Sequence, residues 1–299
     1  MLAAMASVRS VADGFSFLEC PRWHEGQLWV SDFYTARVLA VDDPGAAGSP
    51  ASVRTVVDFP GQPSGLGWLP DGRLLMVSMR DRRVLRRESD GSLAEHADLS
   101  GVAPEHLNDM LVDGAGRAYV GNFGFDLMSG ADVCGTTLAR VDPDGRVSVV
   151  ADGLVFPNGM ALLDGGRTLV VAESFGNRLS GFTVGPDGEL TDRRDWARFG
   201  DPPAGGDPGE ALAAVVVAPD GICAAPDGTV WVADAFNKRA VRVAEGGEIV
   251  QEVSSGDLNV YACALGGADG RTLYLCAAPS FAEHERRDTR EGVLLAATV

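Results

Sequence analysis

Apolar residues along this chain come in short runs with strand character, and each run follows a turn that holds Asp or Gly. The turn at His24-Glu25-Gly26 precedes Trp29, and Pro70-Asp71-Gly72 precedes Met76. Asp113-Gly114-Ala115-Gly116 precedes Tyr119, Asp164-Gly165-Gly166 precedes Val170, Pro226-Asp227-Gly228 precedes Trp231, and Asp269-Gly270 precedes Tyr274. The six anchors are separated by 47, 43, 51, 61 and 43 residues. A fixed unit repeated along a whole chain is the mark of a repeat architecture. Tight hairpins need positive φ at one or two positions, which explains the glycines in these turns.

Each unit continues alike. A second apolar run follows the anchor, as in Arg37-Val38-Leu39-Ala40-Val41, Arg83-Val84-Leu85, Thr137-Leu138-Ala139-Arg140-Val141, Arg178-Leu179 and Arg239-Ala240-Val241. Third strands are expected at Val147–Val150 and Ile249–Val253. No stretch shows helical periodicity beyond about three turns. Strands at this spacing predict an all-β chain, and six units predict a six-bladed β-propeller. A sandwich or a pair of barrels competes less well, because neither requires a regular period over the full length. The run 292–299 is expected to pair with the N-terminal strand near 7–12, which joins the two ends in one blade and removes an exposed edge.

The 299 residues, 45% of them hydrophobic, suffice for a sizeable core, and residues 1–299 read as one propeller domain. The Gly- and Pro-rich segment 201–209 and the segment 123–135 read as the two long loops. The formal net charge of −17 argues against nucleic acid, since no basic patch is available to neutralise phosphates. The first nine residues do not read as a signal peptide, and no run approaches the length of a membrane span. Five cysteines without metal spacing suggest buried free thiols in a reducing cytoplasm. A monomer or weak oligomer is expected.

Four polar residues stand out because each lies ten to twelve positions before an equivalent strand: Glu19, Asn108, Asn158 and Asp220. An Asn or Asp before Gly, as in Asn158-Gly159 and Asp220-Gly221, is by itself an ordinary turn signature. The shared offset favours a site instead. Matching positions that point inward bring two carboxylates and two amides together, an oxygen-rich set suited to a hard divalent cation. Glu19 also lies in an otherwise apolar run, where a buried carboxylate needs a partner.

The segments carrying these residues resemble the gluconolactonase/regucalcin (senescence marker protein) family. They are Phe17-Leu18-Glu19-Cys20-Pro21-Arg22-Trp23, Asn108-Asp109 ahead of Asp113-Gly114, Phe156-Pro157-Asn158-Gly159-Met160, and Pro219-Asp220-Gly221-Ile222 ahead of Trp231. The resemblance covers nearly the whole chain. It implies a six-bladed propeller holding one divalent metal ligated by Glu19, Asn158 and Asp220, with Asn108 beside the metal contacting substrate or water. The family often carries Arg two residues before that Asn, where it holds sugar hydroxyls; this chain has His106.

The chemistry expected of such a site is lactone or ester hydrolysis by a metal-activated water. Asp220 is assigned the proton, with Glu19 second, and His106 is read as a base or a substrate donor. Oxygen ligands put calcium first; magnesium, manganese, iron(II) and zinc also occupy such sites. The phenylalanines at 123, 125, 175 and 281 are candidates for pocket walls. No G-x-S-x-G elbow supports serine hydrolysis. Two other classes stay open: a related metal-dependent esterase or phosphotriesterase, including one recruited to secondary metabolism, and a non-enzymatic propeller that binds a partner.

Overall fold

A computed structural model of the protein describes residues 8–43, 45, 51–203 and 205–299. In chain order the strands are β1 (Val8–Phe15), β2 (Leu18–His24), β3 (Gln27–Asp32), β4 (Arg37–Asp42), β5 (Ser52–Asp58), β6 (Pro63–Trp68), β7 (Leu74–Ser78) and β8 (Arg83–Arg87). They continue as β9 (Leu93–Asp98), β10 (Leu107–Val112), β11 (Ala118–Asn122), β12 (Thr136–Val141), β13 (Val147–Leu154), β14 (Pro157–Leu163), β15 (Thr168–Glu173) and β16 (Arg178–Val184). The last eight are β17 (Leu190–Arg198), β18 (Pro219–Ala224), β19 (Val230–Asp234), β20 (Arg239–Val243), β21 (Ile249–Ser254), β22 (Asn259–Gly266), β23 (Thr272–Ala278) and β24 (Gly292–Thr298).

Six four-stranded sheets result, the blades of a β-propeller: β2 to β5, β6 to β9, β10 to β13, β14 to β17, β18 to β21, and β22 to β24 with β1. The expected joining of the two ends is present, because β1 pairs antiparallel with β24 from Val8 opposite Ala297 to Phe15 opposite Gly292. The expected partner at residue 7 lies outside the described residues.

The described chain divides into two compact units, Met1–Pro63 with Asp220–Val299, and Ser64–Pro219. The first contains the blades begun by β2, β18 and β22, and the second those begun by β6, β10 and β14. Each has its own apolar packing. In the first, Leu28, Val30, Leu39, Tyr274, Cys276 and Leu294 form one cluster. In the second, Tyr119, Leu138, Leu169, Val171 and Phe182 do so. The anchors Tyr119, Trp231 and Tyr274 are buried, as core positions should be. The Tyr119 hydroxyl donates to Gly188 O at 3.1 Å, and burial first, then the Asp113 charge, pushes its pKa up to about 12.

The acids that end the anchor strands are structural. Asp32 meets Arg37 at 3.2 Å, Glu173 meets Arg178 at 2.9 Å and Asp234 meets Arg239 at 2.9 Å. Each pair lies five residues apart and ties the anchor strand to the next across the hairpin. The carboxylates are fully buried and each is compensated by its arginine; Glu173 also meets Arg193 at 3.1 Å.

The two long loops each hold a short helical element. Residues 123–135 contain a 3-10 turn at Leu127–Ser129, capped by Asp126. Residues after 201 lead into α1 (Pro208–Ala214), whose N-cap Asp207 accepts from the N–H groups of Gly209 and Glu210. A four-residue helix, α2 (Glu283–Arg286), precedes β24. None is long and apolar enough among the described residues to cross a membrane.

Candidate active site

The first strands β2, β10 and β14 carry a bulge, and Glu19, Asn108 and Asn158 sit at it. In β2, Glu19 faces Ser31 and Arg22 faces Trp29, so three steps on one strand meet two on the other. In β10, Leu107 faces Asn122 and Met110 faces Val120; in β14, Pro157 faces Glu173 and Met160 faces Val171. A bulge bends the strand and re-aims side chains, which is how a regular sheet delivers a polar group to one point. The backbone is forced around these positions: Cys20, next to Glu19, has φ 52°, and Phe156, two residues before Asn158, has φ 58°, both in the left-handed region.

Register makes the equivalence exact in number. Arg22 faces the anchor Trp29, Leu111 faces Tyr119 and Ala161 faces Val170. Glu19, Asn108 and Asn158 each lie three residues before that facing residue. The sequence offset of ten to twelve is therefore a constant three plus a hairpin span that varies.

In the first unit, Glu19 and Asp220 are both buried, with 7% and 9% exposure. The Glu19 carboxylate accepts the N–H of Cys20 at 3.1 Å. Both charges act on the same neighbours. The Cys276 thiol is raised by burial first and then by Glu19, with Asp220 adding to it. The Tyr261 phenol is raised by burial first, and Asp220 and Glu19 push the same way. Gly221, next to Asp220, lets β18 approach β22 closely: a Cβ there meets Ala262 Cα at 2.6 Å. Two carboxylates thus flank one blade edge within this unit.

In the second unit, both amides direct their nitrogens at protein acceptors. Asn158 Nδ2 donates to Ser174 Oγ at 3.1 Å, and Ser174 Oγ donates to Pro219 O at 2.8 Å. Asn108 Nδ2 lies 3.5 Å from Pro157 O, at the limit of a hydrogen bond. Tethering the nitrogen turns the amide oxygen away from the tether, the orientation a cation ligand needs. Asp109, beside Asn108, is a further buried carboxylate; it accepts the Met110 N–H at 2.7 Å. Among the described residues no group of three or more His, Cys, Asp and Glu gathers to hold a metal.

His106 stands next to Glu105, whose Oε1 bonds its Nδ1 and accepts its backbone N–H at 2.9 Å. Its ring stacks on Phe123 at 5.6 Å. Phe123, Phe125, Phe156 and Phe175 pack on one another with centroids 4.5 to 5.8 Å apart, and all four are buried. The expected walls at 123, 125 and 175 are therefore mainly a packed aromatic block, with His106 at its margin. Phe281 packs against Phe236 at 6.0 Å instead.

All five cysteines are free, but only Cys20, Cys263 and Cys276 are buried; Cys134 is exposed and Cys223 half-buried. The sequence reading missed Ser64, which is fully buried in the triplet Pro63-Ser64-Gly65 that matches Pro157-Asn158-Gly159 and Pro219-Asp220-Gly221. That triplet was available as a signal.

Residues 17–279 match the family described as SMP-30/Gluconolactonase/LRE-like region. The chain is 32% identical to pentonolactonase XacC of Haloferax volcanii over 145 residues, which span 48% of this chain and only 44% of that protein. It is 26% identical to 6-deoxy-6-sulfogluconolactonase of Pseudomonas putida over 261 residues, 86% of this chain and 81% of that one. Its fold is similar to the gluconolactonase XC5397 of Xanthomonas campestris (TM-score 0.73, 22% identity, 98% and 89% of the two chains covered). It is also similar to regucalcin of Agrobacterium tumefaciens, a calcium-binding protein (TM-score 0.76, 17% identity, 98% and 93% covered). Relatives named as lactonases, the propeller fold and the matched region together assign this chain to the SMP-30/gluconolactonase/LRE-like family.

Proposed function

We propose that this protein is a divalent-metal-dependent lactonase, a hydrolase that opens a small lactone or ester to the hydroxy acid. The observation that carries the reading is the pair Glu19 and Asp220, two buried carboxylates whose charges act on the same phenol and the same thiol. Buried like charges favour a cation between or beside them. Glu19, Asp220 and Asn158 would hold the ion, calcium first by analogy with the calcium-binding regucalcin. When bound, such an ion polarises the lactone carbonyl and makes a water molecule more acidic.

The chain's own residues do the rest. Asp220 takes the proton of the attacking water, with Glu19 as the second carboxylate. The acyl carbon–oxygen bond of the ring breaks, and the alkoxide receives the proton. Asn108 and His106 hold the substrate. Glu105 fixes which imidazole nitrogen of His106 carries its proton, so the other is presented for hydrogen bonding. We place the enzyme in the cytoplasm, acting as a monomer or weak oligomer, where five unpaired cysteines stay reduced.

A panel of sugar and aliphatic lactones, followed by acid release in a pH-stat with each metal and with chelator, tests the reading. Hydrolysis that chelator abolishes and metal restores is expected. No hydrolysis of any lactone under every metal, or activity indifferent to chelator, overturns it.

A further inference from the structure

The same register that aligns Glu19, Asn108 and Asn158 reaches a sixth-blade residue that the polar pattern does not mark. In β22, Ala264 faces the anchor Tyr274, and three residues before it stands Tyr261. The bulge is there as well: Val260 faces Ala277 and Ala262 faces Cys276, which leaves Tyr261 as the extra residue. Bulges re-aim the side chain they carry. Tyr261 therefore occupies, in its blade, the position held by Glu19, Asn108 and Asn158 in the blades begun by β2, β10 and β14.

Its surroundings are unusual for a packing tyrosine. Only 2% of it is exposed, and its ring lies against Phe17 at 4.8 Å. Its hydroxyl is buried and has no hydrogen-bond partner among the described residues. The Asn259 amide lies near enough to act on the phenol but forms no bond of acceptable geometry with it, and its nitrogen donates to Pro279 O at 3.2 Å. Nε of Arg286, whose charge also reaches Tyr261, is a second buried donor without a partner. Phe17 comes from the strand region of Glu19, and the backbone carbonyl oxygen of Tyr261 lies 3.2 Å from the Cβ that Gly221, next to Asp220, would carry. Tyr261 thus sits between the two carboxylate-bearing strands of its unit.

A buried hydroxyl without a partner is costly, and a fold keeps one where a ligand completes it. We propose that the Tyr261 hydroxyl is a substrate-binding donor that hydrogen-bonds an oxygen of the lactone or ester group, a role that rests on the lactonase reading above. A phenol with an ordinary pKa of about 10 is protonated at neutral pH, so it donates and does not act as a base. The bond strengthens as the carbonyl oxygen gains negative charge, which is the setting in which one donor matters most.

Tyr261→Phe tests this, since it keeps the ring on Phe17 and removes only the O–H. Four quantities are measured on wild type and variant: kcat/KM for a lactone, the affinity for the metal ion alone, the affinity for the hydroxy acids gluconate and 4-hydroxybutyrate, and Tm. The expected result is a loss on the order of 100-fold in kcat/KM. Hydroxy-acid binding weakens with it, metal affinity stays unchanged, and Tm holds or rises because an unpaired buried hydroxyl has gone. Unchanged kcat/KM and unchanged hydroxy-acid binding overturn the proposal, and so does a fall in Tm accompanied by loss of metal affinity, which marks a structural role. If the wild type hydrolyses no lactone, the lactonase reading fails by itself and the hydroxy-acid titration still decides the role of Tyr261.

Discussion

On the first strands of its blades the unit formed by Met1–Pro63 and Asp220–Val299 presents charge and a phenol hydroxyl, whereas the unit Ser64–Pro219 presents neutral amides. Glu19 and Asp220 are buried carboxylates. Asn108 and Asn158 are buried amides whose nitrogens are directed at Pro157 O and Ser174 Oγ. One repeat geometry carries both, so the backbone sets the place and the side chain sets the chemistry. Under the proposed lactonase reading, the carboxylates would supply the charge that attracts a cation, and the amides would supply oriented dipoles at no charge cost. The two regions should therefore fail differently when altered.

The largest effect belongs to the charged region. Glu19→Gln keeps the shape but removes one negative charge, and it should lower kcat/KM by on the order of 1000-fold while the circular dichroism spectrum stays unchanged. A loss under tenfold would mean that Glu19 only packs. The neutral region should show a milder loss. Ser174→Ala removes the acceptor that orients Asn158 and should weaken metal binding by roughly 10- to 100-fold, read by titration calorimetry. An unchanged affinity would show that the tether does not set the amide.

Specificity should move by less. His106→Arg supplies a planar fork of donors in place of one imidazole, and it should raise the kcat/KM ratio of gluconolactone over an aliphatic lactone by about tenfold, or about 1.4 kcal/mol. A wild type that already prefers gluconolactone tenfold contradicts this. The apolar preference would come from the margin of the phenylalanine block beside His106.

The smallest effect separates stability from function. His96 is buried, and burial first, then Arg86, holds its pKa below 6.5; its Nδ1 lies 3.2 Å from Arg86 Nη1. A depressed folded pKa means that the unfolded chain takes up the proton first. Stability present above about pH 6.5 is then lost as pH falls towards the folded value. Wild-type Tm should drop between pH 7.5 and 5.5, and His96→Gln should flatten that slope without touching activity at pH 7.5. An identical slope in the variant would assign the effect to other groups.

Most of the architecture could be read from the sequence, because turn glycines and apolar anchors recur at every blade. Joining of the ends at β1 and β24 was legible for the same reason. The site was only partly legible. Residues facing each other across the first hairpin are seven apart at Arg22 and Trp29, eight at Leu111 and Tyr119, nine at Ala161 and Val170, and ten at Ala264 and Tyr274. Counting back from the anchor therefore drifts, and Tyr261 falls thirteen positions before Tyr274, outside the window that caught the others. An aromatic side chain at this position hides it further, since Tyr in a strand ordinarily reads as packing. Strand-ending acids such as Asp32 and Glu173 raise the reverse difficulty: they look chemical but close ion pairs within a blade. The phenylalanines at 123, 125 and 175 were ambiguous because exposure depends on which rings share a cluster, and no periodicity encodes that.

The most direct test of the account is calorimetric titration of calcium, and then of each other divalent ion, into wild type and Asp220→Ala. One saturable site in the wild type, lost in a variant whose circular dichroism spectrum and Tm stay close to those of the wild type, is the predicted result. Undiminished affinity in Asp220→Ala, or no site in the wild type for any of the ions, would contradict it.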